Sequence, residues 1–195
     1  MAAVETIGIL GGTFDPPHLG HLAVARGGAE RFGLGRLLIR VIADPGHKDV
    51  ETPAEVRLAL ARVAFASVLQ AEVALDPYSR TVDSLQALDL ADPVFLIGAD
   101  EFVSFLTWKE PERVLELARL GVATRPGVDE SLVEQVLSQL ALRERVTVFP
   151  IEPHAISSTE IRDAVAEGLD VTPLVGAVVA EQIRQLGLYT AVSAS

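Results

Sequence analysis

Short runs of consecutive apolar residues alternate along the chain with longer segments whose apolar positions recur every three or four residues. Gly, Pro, Asp or Ser stands at most boundaries. Val4 to Leu10 predicts a buried strand ended by Gly11-Gly12, and Leu19 to Phe32 a helix that buries Leu22, Ala25 and Ala29. Leu37 to Ala43 predicts a second strand, stopped by Asp44-Pro45-Gly46. Thr52-Pro53-Ala54-Glu55 reads as a capping box opening a helix that buries Leu58, Ala61, Val63 and Phe65. A short strand at Val73 to Leu75 and a helix through Val82, Leu85 and Leu88 follow. Further strands are expected at Val94 to Ile97, Leu120 to Ala123 and Val146 to Pro150. Helices are expected from Ser131 (again read as a capping box), from about Ser158 and from Pro173.

Six β runs interleaved with helices imply an α/β chain with a Rossmann-like, doubly wound parallel sheet, helices on both faces and a C-terminal helical segment. No linker or repeat interrupts residues 1–195, so one domain is expected. Ligands of such sheets sit beyond the carboxyl ends of the strands. Three chemically unusual stretches fall there: 11–21, 44–48 and 98–108.

Composition narrows the chemistry. The chain has 195 residues and a formal charge of −11, an argument against nucleic acid or an anionic membrane surface as partner. A small anion responds to local charge and stays open. With no cysteine, thiolate catalysis, disulfides and cysteine-bound metals are excluded. No basic leader and no long apolar run appear, so the cytoplasm is the expected compartment, and a homo-oligomer is compatible with the sequence.

Neither lysine, Lys48 or Lys109, sits in a Gly-Lys-Ser/Thr P-loop, and the first strand lacks G-x-G-x-x-G. It is followed instead by Gly11-Gly12-Thr13-Phe14-Asp15-Pro16-Pro17-His18-Leu19-Gly20-His21. The glycines allow close backbone approach, and Gly20 is expected to clear space for a nucleotide. His18 and His21 are three apart at a helix N-terminus, so both imidazoles can project from one face toward a phosphate. Turn-making glycines and packed or capping histidines are the plainer explanation. A second stretch, Ile156-Ser157-Ser158-Thr159-Glu160-Ile161-Arg162, contains a capping box at Ser157 and Glu160. Its three hydroxyls and Arg162 exceed what capping needs and suit a triphosphate.

With both stretches the chain resembles the HxGH superfamily of nucleotidylyltransferases, and within it is most similar to the bacterial nicotinate-nucleotide adenylyltransferases. Pro45-Gly46-His47-Lys48, the helix start at Thr81, Gly98-Ala99-Asp100, Trp108, Thr124-Arg125-Pro126-Gly127 and Gly187-Leu188-Tyr189 extend the resemblance along nearly the whole length. It implies transfer of AMP from ATP to the 5′-phosphate of nicotinate mononucleotide, with Mg²⁺ carried by the ATP phosphates rather than a protein cage. His18, His21 and Arg162 would act on the phosphates. Gly11, Gly12, Thr13, Phe14, Gly20, Gly98, Asp100, Ser157, Ser158 and Thr159 would complete the ATP site. Asp100 could equally be a helix N-cap. Lys48, Arg80, Thr81, Trp108 and Arg125 would serve the mononucleotide side, with Trp108 against the pyridine ring and Thr81 on its carboxylate.

Departures from the family pattern gather around the acceptor. Ser79-Arg80-Thr81 stands for the usual Ser-Tyr-Thr, the loop after the second strand lacks its first proline, and Leu174-Val175-Gly176 replaces Leu-Val-Pro. A sister transferase using the amide form or another phosphorylated acceptor therefore stays open. So does a non-catalytic nucleotide-sensing module of the same fold.

Overall fold

The computed structural model describes residues 5–46, 50, 52–154 and 156–191. One sheet, with every neighbouring pair parallel, has the order β3-β2-β1-β4-β5-β6. Its strands are β1 (Ile7–Gly12), β2 (Arg36–Ile42), β3 (Ala71–Asp76), β4 (Val94–Gly98), β5 (Arg119–Thr124) and β6 (Val146–Pro150). The helices are α1 (Leu19–Phe32), α2 (Ala54–Phe65), α3 (Thr81–Leu88), α4 (Ala99–Phe102), α5 (Pro111–Leu117), α6 (Glu130–Leu137), α7 (Ser158–Ala166), α8 (Thr172–Val175) and α9 (Ala177–Gln185).

The near-continuous apolar runs of the strands follow from burial on both faces. Adjacent residues Ile9 and Leu10 are 1% and 4% exposed and enter different cores. Leu10, Leu37, Ile39 and Val41 pack with residues of α1, α2, α8 and α9. Ile9, Phe95 and Ile97 pack with residues of α3 to α6 on the other face. Strand order reverses between β1 and β4, which opens a crevice at their carboxyl ends. The three stretches 11–21, 44–48 and 98–108 begin at or just beyond those ends, as expected; of these, His47 and Lys48 lie outside the described residues.

The doubly wound parallel fold is as expected, while several local expectations are corrected. The first strand does not stop at Leu10 but runs through both glycines, pairing Gly11 with Arg40 and Gly12 with Val41. Thr52 forms no capping box: Pro53 is the N-cap of α2, and Thr52 is buried with its carbonyl taken by Arg57. Ser131 is not a cap either. Asp129 starts α6, its Oδ1 accepting from the Ser131 amide at 2.9 Å and hydroxyl at 2.6 Å, so the earlier of two competent caps prevails. The helix expected from Pro173 is divided by Gly176, whose φ of +84° lies outside helical space. In α2, Val63 is only half-buried, whereas Arg57 and Leu60 are enclosed. The stretch 98–108 also contains α4 and a 3-10 turn at Phe105–Thr107, and α5 follows it. With only Val114 and Leu115 buried, α5 is too short for its periodicity to stand out.

Helix α1 reaches the sheet closely at Gly28, where a Cβ would stand 2.4 Å from Leu96 Cδ1. Leu96 is fully buried and has no room to yield. A Gly28→Ala change, which improves helix propensity, should here lower stability by about 1–3 kcal/mol. A reduced urea midpoint is expected. A raised one would show that α1 can move off β4.

Candidate active site

The loop between β1 and α1 is the centre of the site, and its shape comes from its own residues. Phe14 takes φ +52°, a left-handed conformation that a non-glycine residue avoids. Its ring is 1% exposed and packs edge-on to His21 at 4.9 Å and to Phe65 at 5.5 Å. Phe14 therefore shapes the loop from within, its ring enclosed against His21 and Phe65. Gly12 is required beneath it, since a Cβ there would meet the Phe14 ring at 2.9 Å.

His18 and His21 do project from one face, with ring centroids 3.7 Å apart and nearly parallel planes. The His18 amide donates to His21 Nδ1 at 3.2 Å, so His21 also finishes the end of α1. Gly20 also has a role within the histidine pair. A Cβ would lie 3.0 Å from His18 Nδ1, so the glycine makes room for the neighbouring imidazole. His18 is buried, and burial above all, with the neighbouring His154 and the Arg125 guanidinium, pulls its pKa from 6.5 to about 4, partly offset by Glu160. It is neutral at pH 7 and carries one N–H rather than two. Its Nδ1 is buried without a hydrogen-bond partner among the described residues.

The second stretch docks on this loop across more than 140 positions of sequence. Ser158 Oγ donates to the Pro16 carbonyl at 2.9 Å, and Arg162 Nη1 to the Asp15 carbonyl at 2.8 Å. Arg162 Nη2 reaches Thr159 Oγ1 at 3.3 Å. The capping box at Ser157 is present as read: its oxygen accepts from the Glu160 amide, and the Glu160 carboxylate accepts from the Ser157 amide and hydroxyl. Those bonds hold the Glu160 carboxyl below its usual range.

Arg125, after β5, binds the Asp100 carboxylate at 2.9 Å and the His154 carbonyl at 2.9 Å. Asp100 is thus not the N-cap of α4, a place taken by Gly98. Nothing within 4 Å would oppose a Cβ on Gly98, so the crevice is open above it. Thr13 faces the other way, its carbonyl held by Arg57.

Beside Gly11 lies a small pocket lined also by Arg40, Tyr78, Arg80, Thr81 and Phe95. Thr81 opens α3, and the N-cap residue Arg80 makes no side-chain cap bond. The start of α3 therefore presents amides and a hydroxyl toward the pocket's rim. Trp108 is half-buried and backs the pocket wall, edge-on to Phe95 at 6.3 Å and to Phe105 at 5.2 Å. Lys48 lies outside the described residues. A larger hollow, lined by Arg62, Phe65, Leu69 and Val73, holds none of these groups.

Three neighbours escaped the sequence reading. Arg57 interrupts an otherwise apolar stripe with Ala61, Ala64 and Phe65, which is the signal of a buried charge. His154 precedes the second motif by two residues and stands near His18. Arg40 occupies a strand position beside Gly11, and its Nε lies 3.7 Å from Asp76. Among the described residues, no group of three His, Asp or Glu side chains could hold a metal ion, and no helix is long and apolar enough to cross a membrane.

Comparison with known proteins bears on this arrangement directly. Residues 9–164 match the family described as cytidylyltransferase-like. A probable nicotinate-nucleotide adenylyltransferase of Thermomicrobium roseum is 39% identical over 98% of this chain and 94% of its own length. Another, from Desulfitobacterium hafniense, is 35% identical over 96% of this chain and 97% of its own. Among solved structures, Plasmodium falciparum nicotinic acid mononucleotide adenylyltransferase complexed with NaAD superposes with a TM-score of 0.79, covering 95% of this chain and 97% of that one. Its 17% identity speaks for the fold alone. Full-length identity of this order places the chain in the cytidylyltransferase-like family and, within it, among the nicotinate-nucleotide adenylyltransferases.

Proposed function

We propose that the chain transfers the adenylyl group of ATP to the 5′-phosphate of nicotinate mononucleotide. An oxygen of that phosphate attacks the α-phosphorus, the bond to the β-phosphate oxygen breaks, and pyrophosphate leaves with the released charge. The observation that carries this reading is the docking of Ser158 and Arg162 on the carbonyls of Pro16 and Asp15, beside the stacked His18 and His21. Donors of three kinds, imidazole, hydroxyl and guanidinium, converge where a helix end already favours anions.

The roles follow from position. His18 and His21 donate to the α- and β-phosphate oxygens as charge builds there, and Ser157, Ser158, Thr159 and Arg162 hold the departing phosphates. Gly11, Gly12, Thr13 and Phe14 contribute backbone, while Gly98 and Asp100 face the nucleotide sugar. Arg125 serves the phosphates of the acceptor, as does Lys48. No protein nucleophile is invoked, since positioning and neutralisation suffice for an in-line displacement. The donor set is built for anionic oxygens, with no carboxylate cage among the described residues. A Mg²⁺ ion carried by the triphosphate would add charge neutralisation beside these donors.

For the acceptor, the start of α3 and the two guanidinium groups Arg40 and Arg80 favour the nicotinate carboxylate over the neutral amide. Trp108, behind Phe95, supplies aromatic surface near the pyridine ring. Purified protein with Mg-ATP and nicotinate mononucleotide should release pyrophosphate and form the deamido dinucleotide. Its kcat/KM should exceed that for the amide form by about tenfold or more. Turnover only with a non-pyridine acceptor would displace the assignment to a sister transferase.

Two side-chain predictions accompany it. His21→Asn keeps an acceptor for the His18 amide, so folding should persist while kcat falls on the order of 10²- to 10³-fold. Activity near the unaltered level would remove His21 from the reaction. His18, neutral when folded, lets the unfolded chain bind a proton that the folded chain refuses as pH falls from about 6.5 to 4, so stability drops across that window. A bound triphosphate should reverse the effect by raising the His18 midpoint. An NMR titration of its ring is expected to move upward from about 4 with an ATP analogue, and an unmoved midpoint would place the phosphates elsewhere.

A further inference from the structure

Asp15 is the hub of a polar network that the proposed reaction does not use directly. Its side chain is enclosed, at 6% exposure, and among the described residues it forms no ion pair within 4 Å. The Tyr189 hydroxyl, 174 residues away, donates to Asp15 Oδ1 at 2.7 Å. The carbonyl of the same Asp15 accepts from Arg162 Nη1 at 2.8 Å. The phenol is half-buried, and its bond to Asp15 adds to burial in pushing its pKa well above the usual range. Enclosed beneath, the Arg57 guanidinium donates to the carbonyls of Thr52, Thr13, Ile42 and Ala43 at 2.8–3.0 Å, and its charge is felt at Asp15.

Packing also commits Tyr189 to this place. It follows α9, whose Val179, Ala180 and Ile183 are buried in the core shared with α2, and its own φ is +62°. A residue held in a left-handed conformation, half-buried and bonded through its hydroxyl to Asp15, is fixed rather than draped. Four of the five N–H bonds Arg57 can make go to backbone oxygens after β1, at the end of β2 and before α2, so that residue clamps these loops together. Tyr189 instead governs one residue, Asp15, whose carbonyl is where Arg162 is tied.

We infer that Tyr189 and Asp15 are positioning residues for adenylyl transfer: the phenol fixes the Asp15 peptide, and its carbonyl aims Arg162 at the departing phosphates. The inference rests on the assignment of Arg162 to the triphosphate. Without the phenol, Asp15 can rotate toward Arg57 or capture Arg162 with its carboxylate. Either movement withdraws the guanidinium from the ligand. The C-terminal segment thereby acts on the first loop of the chain through one hydroxyl.

Steady-state kinetics on the full chain test this with Tyr189→Phe, Asp15→Asn, their combination, and Arg162→Ala as reference. Tyr189→Phe removes one oxygen and keeps the ring in its packing. It should lower kcat/KM for ATP about five- to thirtyfold, with KM for the mononucleotide within about twofold of the unaltered protein. The double variant should lose little more than Tyr189→Phe alone, because both changes act on one bond. A lowered melting temperature with unchanged kinetic constants would make the bond a structural staple and overturn the inference. Equal rises in both KM values, or losses that simply multiply in the double variant, would also overturn it. Near-normal activity of Arg162→Ala would instead sink the underlying assignment of that residue.

Discussion

The docking of the first turn of α7 on the loop after β1 is the contact on which the site depends. It consists of two bonds, Ser158 to the Pro16 carbonyl and Arg162 to the Asp15 carbonyl. Each uses a backbone oxygen of a loop that has no regular partner of its own, so the second motif satisfies the first. The arrangement explains why chemistry-bearing residues lie at both ends of the chain. The sheet brings the loop after β1 and the loop after β6 to the same edge of the molecule, because all strands run parallel and end on one side.

Electrostatics reinforces this logic. A chain with a formal charge of −11 gathers His18, His21, His154, Arg125 and Arg162 around one crevice. Concentrating cations without a ligand is costly, and the structure contains the cost in two ways. Burial keeps His18 neutral, and Arg125 is neutralised by Asp100 at 2.9 Å. Both devices are reversible when a polyanion arrives, since it favours the protonated imidazole and competes with a carboxylate for the guanidinium. The buried Arg57 is of another kind, because its donors are spent on carbonyls and its place is structural.

Much of this was legible before any coordinates. The strand and helix rhythm gave β6 and α1 with their observed limits, and the two motifs lie face to face as their shared chemistry implied. What failed was local competition. Thr52 and Ser131 both have the residue type and spacing of N-caps, yet the Thr52 carbonyl is taken by Arg57 with Pro53 at the cap of α2, and Asp129 caps α6 first. Gly20 adds a role that its position alone does not reveal: the missing side chain also leaves room for the His18 ring. Tyr189 was legible only as part of a terminal landmark and Arg57 only as a charge in an apolar stripe; the partners of both lie far away in the chain, which local spacing does not mark.

The account stands or falls on where the triphosphate lies. The most direct measurement is a crystal structure with Mg²⁺ and a non-hydrolysable ATP analogue. It should show the β- and γ-phosphates at the first turn of α7 against Ser158, Thr159 and Arg162, with the α-phosphate beside His18 and His21. The Asp100–Arg125 pair should be loosened. A triphosphate seated away from α7, with Arg162 still turned only to the Asp15 carbonyl, would contradict it.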